Sequence, residues 1–320
     1  MRGIDPNTYE AFVSHVRLQY PHFEILFGAA SENDPAVEEV RHLQRAFPQG
    51  PIRLIIGHAP ALNGKIGTLI ELARHARYPI HVVNDSDIKV GRDYLSHVIA
   101  PLADPTVGVV TCPYRVKPHN IPSAWEALGI ATDFMPSTLV AQLLGVREFG
   151  LGSTLAFRAA DLEQAGGFES IADYLADDFQ LAKRISSLSK RSFLSSYTVE
   201  TSIGDATWSG VWRHQLRWAR TIRTSKGKGY AGLPITHAGV WSLIALLCGM
   251  WPVAALLLFL RVGSAAFASR ATRWFWLAPI WDLYAFAVWL ASYAGRTVRW
   301  RDQALSIDRH GRIIRSEPTC

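Results

Sequence analysis

Two aspartates one residue apart, Asp85 and Asp87, interrupt the stretch HVVNDSDIKV (residues 81–90). Val82 and Val83 read as the end of a buried strand. Carboxylates at i and i+2 leaving a strand can turn toward one hard cation. Mg²⁺ and Mn²⁺ favour oxygen ligands and complete their shells with substrate phosphates. No His or Cys accompanies the pair, which argues against zinc. A metal that holds a diphosphate stabilises a leaving group as charge builds on it. Asp-x-Asp alone is a weak signal, because surface loops produce it often.

Other residues add to the pair. Asp34 is a third carboxylate, just past the strand that ends near Ala30. Lys65, in LNGKIG, follows a strand and starts a helix, where a cation and N-terminal amides can meet a phosphate. Asp177 and Asp178 open a helix. There they complement the helix dipole, and a general base would sit in the same place. In HQLRW (214–218), His214, Arg217 and Trp218 fall three and four residues apart and share a helix face. An interfacial basic helix anchored by Trp208 and Trp212 accounts for the same residues.

The elements that must position these groups alternate. The spacing predicts helices over 8–20, 36–47, 64–76 and 93–103, and strands over 23–30, 51–57, 79–85 and 106–116. Strands and helices in turn imply a mostly parallel sheet in an α/β fold, with ligands at the carboxyl ends of the strands. Residues 117–150 read as a helix broken near Pro136. Residues 150–168, starting with GLGST, read as a loop, a short strand and a helix ended by glycines. Helices follow over 175–185 and 211–223, the second basic and amphipathic.

Of the 320 residues, 49% are hydrophobic and 19% charged, and the net charge is +6. The surplus sits in the tail. The first 237 residues carry 24 basic and 23 acidic side chains, whereas residues 238–320 carry nine Arg against four acids. That argues against a nucleic-acid groove, which needs a basic face on the folded domain. Cys112, Cys248 and Cys320 have no disulfide or zinc spacing and fit a reducing compartment.

Two uncharged or nearly uncharged runs predict membrane spans, 238–260 and 274–295, the second holding one acid, Asp282. Five basic residues precede the first span (Arg217, Arg220, Arg223, Lys226, Lys228). Six follow the second (Arg296, Arg299, Arg301, Arg309, Arg312, Arg315), against Arg261, Arg270 and Arg273 in the link. The positive-inside rule then puts both ends and the large domain on the cytoplasmic side of a multi-pass protein in the inner (cytoplasmic) membrane. The expected organisation is a catalytic domain over 1–235, a membrane region over 236–296 and a basic tail over 297–320.

Taken in order, NDP (33–35), NGK (63–65), NDSDI (84–88), ADD (176–178) and HQLRW (214–218), followed by spans, resemble a glycosyltransferase of GT-A fold. More narrowly they resemble the ceramide glucosyltransferase family (glycosyltransferase family 21), with its bacterial hopanoid-associated branch equally close. The resemblance covers roughly residues 3–235. It implies a Rossmann-like catalytic domain that moves a hexose, glucose favoured, from a UDP-sugar to a membrane-lipid hydroxyl such as that of ceramide, with inversion. It also implies roles. Asp34 faces the uridine, Lys65 lies near the diphosphate, and Asp85 and Asp87 hold Mg²⁺ or Mn²⁺ with the diphosphate. Asp178 is the base with Asp177 beside it, and Arg217 and Trp218 close over diphosphate and acceptor. GLGST (150–154) lines the sugar or acceptor pocket.

Two departures stand out. The family pattern (Q/R)-x-x-R-W has His214 at its first position here, with Gln215 one place late. The family also begins with an anchor and a first strand before the part that matches GIDP (3–6), so either the start lies upstream of Met1, the favoured reading, or the sheet lacks an edge strand. Three other readings stay open. One is N-acetylglucosaminyl transfer to a hopanoid lipid. Another is a processive polysaccharide synthase, which normally has Gln at the position of His214 and more spans. The third is a non-catalytic nucleotide-sugar-binding or lipid-binding membrane protein.

Overall fold

The structure, a computed structural model, describes residues 1, 3–4, 7–268, 273–300 and 303–314. In chain order come α1 (Thr8–Val16), β1 (Ile25–Ala29), α2 (Pro35–Ala46), β2 (Ile52–Ile56), α3 (Gly64–His75), β3 (Ile80–Val83), α4 (Tyr94–Ile99) and β4 (Val107–Thr111). Then follow β5 (Tyr114–Pro118), α5 (Ile121–Gly129), a π-helical turn (Ile130–Phe134), α6 (Met135–Leu143), β6 (Leu155–Arg158), α7 (Ala159–Gln164), α8 (Asp177–Ser186), β7 (Arg191–Leu194), β8 (Val199–Ile203) and α9 (Trp208–Lys226). The chain ends with α10 (Lys228–Ala231), α11 (Ala238–Leu247), α12 (Trp251–Ala268), α13 (Ala278–Tyr293), β9 (Thr297–Trp300), β10 (Gln303–Ile307) and β11 (Ile313–Ile314). It divides into two compact units, Met1–Arg115 with Gln142–Gly204, and Val116–Ala141 with Asp205–Cys320.

The first unit is the α/β region. Its helices start where the sequence supplies caps. Asp34 accepts from the Ala36 N–H with Pro35 at the first helical position, and Asn63 accepts from the Lys65 and Ile66 N–H groups. β1 and β2 pair in parallel, and so do β4 and β7. The expected mostly parallel sheet is in fact mixed, because β6 lies antiparallel between β3 and β4 in the order β3-β6-β4-β7. That reversal matters for the site. An antiparallel β6 begins at the edge where β3 and β4 end, so it delivers the Gly150–Thr154 turn to the carboxyl ends of both. The core packs Tyr94, Val98, Val110 and Ala156 in one cluster and Ile66, Leu155, Phe157 and Ile185 in another.

Two local expectations change. The strand over 106–116 divides into β4 and β5 at Cys112–Pro113, since proline has no N–H for a ladder. The break near Pro136 takes the form of the π-helical turn, which lets α5 run on into α6 although Pro136 lacks a donor.

The second unit holds the apolar helices. The run 238–260 is not one span. It breaks after α11, where Gly249 takes φ +73°, and restarts as α12. Among the described residues two stretches are long and apolar enough to cross a membrane, Trp251–Ala268 and Phe275–Tyr293. Gly229–Thr236 and Ala238–Leu247 form a further pair bent by 61°. Arg261 therefore lies inside α12 rather than in the link. It is buried and forks onto Asp282 of α13, with Nη2 2.7 Å from Oδ1 and Nε 2.9 Å from Oδ2. Its Nη1 also donates to the Thr132 carbonyl at 3.0 Å, and the Gly239 N–H donates to Asp282 at 2.9 Å. Arg270, Arg301 and Arg315, counted among the link and tail charges, lie outside the described residues.

This pair yields a test. Arg261→Leu or Asp282→Leu alone strands a buried charge and is expected to cost about 3–5 kcal/mol. The double substitution to Leu is expected to recover at least half of that. Thermal unfolding in detergent compares the three variants, and additive losses would contradict the pairing.

Candidate active site

Three elements meet at the carboxyl edge of the first unit's sheet. Asp85 follows β3, Lys65 occupies the first turn of α3, and Asp177 and Asp178 open α8. Lys65 Nζ stands 2.7 Å from Asp85 Oδ1 and 3.0 Å from Asp177 Oδ2. Asp178 takes no part in that bridge. Its Oδ2 accepts the Gly152 N–H at 3.0 Å and its Oδ1 accepts the Phe179 N–H at 2.7 Å, so both oxygens are oriented by backbone. Gly152 is the point where these groups converge. A Cβ there would lie 3.0 Å from Asp85 Oδ2, 3.6 Å from Asp178 Oδ2 and 3.8 Å from Lys65 Nζ.

The electrostatics separate the two acids of α8. Burial, then the neighbouring charge of Asp177, raises the Asp178 carboxyl to about 6, against the opposing pull of Lys65 and the Phe179 N–H. Burial draws the Lys65 ammonium down, but Asp177 and Asp85 together outweigh it and hold the group above the usual lysine range. Lys65 thus stays charged and Asp178 titrates near neutrality, where a general base is useful.

The turn that carries Gly152 is firmly tied down. Thr111 Oγ1, at the end of β4, accepts the Leu151 N–H at 3.0 Å and donates to the Thr154 carbonyl at 2.8 Å. Ser153 Oγ donates to the Cys112 carbonyl at 3.0 Å. Asn84 Nδ2 donates to the Ser153 carbonyl at 2.7 Å and to Tyr94 Oη at 2.9 Å, so the residue before Asp85 is bound to the same turn.

Not every expected residue joins this cluster. Asp85 and Asp87 have separate partners, Lys65 for the first and the Thr201 hydroxyl for the second. Asp34 is occupied as the cap of α2, and its carboxylate also accepts the Gly3 N–H at 2.9 Å. For a divalent ion the donor set is suitable but open. Asp85 offers hard oxygens on a side chain 44% exposed. Among the described residues no group of three or more His, Cys, Asp or Glu is arranged to hold a metal. Asp85 therefore suits Mg²⁺ or Mn²⁺ only as a ligand of an ion whose shell is completed by other oxygens, such as those of phosphate and water.

The HQLRW motif belongs to the second unit, on α9. Its partner is one that motif reading misses. Glu126 of α5 is buried, and its Oε1 accepts both His214 Nδ1 at 2.5 Å and Gln215 Nε2 at 2.7 Å. His214 packs on the Trp218 ring, with centroids 4.7 Å apart, and Phe134 packs on Trp218 at 5.1 Å. Arg217 sits one turn on from His214. The displaced Gln215 therefore shares with His214 the task of satisfying one buried carboxylate. Glu126 did leave a trace, as the sole Asp, Glu, Lys or Arg between Lys117 and Asp133.

Lys65 is the group whose removal tests the cluster. Lys65→Met leaves Asp85, Asp177 and Asp178 facing one another, which raises the Asp178 carboxyl further. A carboxyl whose folded value is raised destabilises the fold above that value and relieves it on protonation. The variant is expected to lose thermal stability at pH 8 and to regain part of it between pH 8 and pH 5, more steeply than the parent. Scanning fluorimetry across that range checks it, and parallel pH profiles would contradict it.

Comparison with known proteins agrees with this architecture. The family profile described as Glycosyl transferase family 21 matches residues 1–313. Ceramide glucosyltransferase 1 of Caenorhabditis elegans is 27% identical over 221 residues, 68% of this chain and 47% of that protein. Ceramide glucosyltransferase 3 of the same organism is 27% identical over 222 residues, 68% of this chain and 48% of that protein. The ceramide glucosyltransferase of Komagataella phaffii is 31% identical over 107 residues, 32% of this chain and 21% of that protein. The chain spans about half the length of the two nematode relatives. Among solved structures, a mannosyltransferase from Pyrobaculum calidifontis in complex with GDP-Man and Mn²⁺ matches with a TM-score of 0.57 at 20% identity. That match covers 95% of this chain and 86% of the other, and it is a likeness of fold, consistent with the GT-A architecture expected. With a family match that runs over nearly its whole length, the chain belongs to glycosyl transferase family 21.

Proposed function

We propose that this chain is an inverting glycosyltransferase that moves a hexose, glucose favoured, from a UDP-sugar to the hydroxyl of a membrane lipid such as ceramide. The observation that carries the reading is the division of labour among the acids. Asp85 and Asp177 are bound to Lys65, while Asp178 is held by backbone N–H groups and raised to about 6. Family membership supports glycosyl transfer, and the names of the curated relatives favour glucose and ceramide.

In this reading Asp178 takes the proton of the lipid hydroxyl as its oxygen forms a bond to the anomeric carbon. The bond from that carbon to the UDP oxygen breaks, and its electron pair leaves with the diphosphate. Attack from the side opposite UDP turns an α-linked donor into a β-glycoside. Lys65 bridges Asp177 and Asp85, while Asp178 is held by backbone N–H groups and is the acid that takes the proton. Asp85 and Asp87 would hold Mg²⁺ or Mn²⁺, which supplies positive charge to the departing diphosphate. In the same reading Asp34 is assigned to the uridine, and Arg217 and Trp218, steadied by the His214–Glu126 contact, are assigned to diphosphate and acceptor. The α/β region faces the cytoplasm, and the apolar helices of the second unit anchor it in the membrane.

Asp178→Asn tests the assignment. It keeps one acceptor oxygen, enough for one of the two backbone N–H groups, but removes the base, and is expected to lower product formation by about 10²–10⁴-fold. Thermal stability at pH 8 should be equal or higher, because an unfavourable buried charge is gone. In the parent, activity should fall as pH drops through about 6, where Asp178 takes up its proton. Undiminished turnover of UDP-glucose and ceramide by a folded Asp178→Asn protein would overturn the reading.

Glu126→Ala probes the second unit. Losing the shared acceptor frees His214 and Gln215, and leaves Trp218 without the support of an anchored imidazole. The expected result is a lower kcat with little change in the stability of the first unit, read by steady-state kinetics and limited proteolysis.

A further inference from the structure

The helix α6 carries an apolar face for which the proposed activity has no use. From Phe134 to Val146 there are thirteen residues without a charge. Leu139, Val140, Leu143 and Leu144 are exposed by 49%, 51%, 86% and 78%. Leu139 and Leu143, and Val140 and Leu144, are each four apart, so they form one stripe. Gly145 ends it with φ +77°, and the charged Arg147 and Glu148 follow at once. Four neighbouring aliphatic side chains facing water, within a run that carries no charge, mark a contact surface.

The start of α6 tells what covers it. The π-helical turn that leads into it is fastened to the apolar helices of the second unit. Arg261 donates to the Thr132 carbonyl, and Trp281 Nε1 of α13 donates to Asp133 at 3.3 Å. Arg261 is the eleventh of the eighteen residues of α12. A segment tied to the middle of a membrane-length helix emerges beside hydrocarbon, not beside water.

We propose that residues 135–146 form a third membrane contact, with Leu139, Val140, Leu143 and Leu144 buried among lipid acyl chains. This rests on the reading of α12 and α13 as membrane helices. The attraction is hydrophobic rather than electrostatic, since the stripe lacks lysine and arginine, so it needs no anionic lipid. The contact also bears on the acceptor. Leu144 precedes Gly152 by eight residues, a reach of at most about 28 Å. The turn beside Asp178 is thereby leashed to the bilayer from which a lipid hydroxyl must arrive.

The test uses full-length protein with Cys248→Ser and Cys320→Ser, reconstituted into neutral phosphatidylcholine vesicles with or without bromine on the acyl chains. One added cysteine at Leu139, Leu143, Phe259 or Glu32 carries an environment-sensitive nitrobenzoxadiazole label, with the buried Cys112 left in place and the variant without an added cysteine as the labelling blank. Phe259, exposed on α12, reports the membrane helices, and Glu32 reports water. The expected result is that labels at 139, 143 and 259 lose most of their emission to brominated chains while the label at 32 keeps it. Quenching at 259 with none at 139 and 143 overturns the proposal and leaves the membrane helices standing. No quenching at 259 removes the membrane reading and the proposal with it. A blue-shifted signal at 143 that brominated chains leave unchanged, and that grows with protein-to-lipid ratio, assigns the stripe to a second copy of the chain and also overturns the proposal.

Discussion

The bridge from Lys65 to Asp85 and Asp177 is the contact around which the first unit's site is arranged. Three acids from two elements, Asp85 after β3 and Asp177 with Asp178 at the start of α8, meet in a partly buried space. Without a cation their repulsion at neutral pH would push the loops apart. Lys65 supplies that cation from within the chain, and the N-terminus of α3 holds its backbone through the Asn63 cap. With Lys65 committed to two carboxylates, the third keeps a raised value of about 6 and is oriented by the Gly152 and Phe179 amides. One ammonium group thus separates charge-holding acids from the acid that can accept a proton.

That arrangement depends on a strand running the unexpected way. β6 enters the sheet antiparallel, and its leading turn is stitched to β4 through Thr111 and Ser153 and to β3 through Asn84. The absence of a side chain at Gly152 leaves room for Asp85, since a Cβ there would press on its Oδ2 at 3.0 Å. In the second unit a single buried acid has a comparable role. Glu126 collects His214 and Gln215 from adjacent positions of α9, so both the residue at the motif's first position and the displaced glutamine find a partner in one carboxylate. The Arg261–Asp282 pair does the same among the apolar helices. It allows two charges inside segments whose composition otherwise suits hydrocarbon, because each satisfies the other.

Much of this was legible in the residues alone. The alternation of apolar runs named β1 to β4 and the helices between them to within a few residues, since periodicity reports burial directly. Asp85, Lys65, Asp177 and Asp178 were marked as chemistry because each sits at a strand end or a helix start, where a short chain segment by itself decides exposure. What local pattern cannot carry is who meets whom. Lys65 binds Asp85 and Asp177, a pairing between positions 20 and 112 residues apart that the phosphate reading of its helix start does not contain. The direction of β6 is set by the return of a long helical excursion, and Glu126 acquires its meaning only from α9, some ninety residues later. The uncharged run 238–260 reads as one helix because hydropathy sums over a window, whereas Gly249 breaks it and Asp282 lets Arg261 extend the next helix past the expected boundary. Sequence by itself thus determined which residues are able to do chemistry and which segments avoid water, because those are properties of side chains and their near neighbours. Only the tertiary structure decided which acid is neutralised, which is left to take a proton, and which charges are buried together, because those depend on distances closed across the fold.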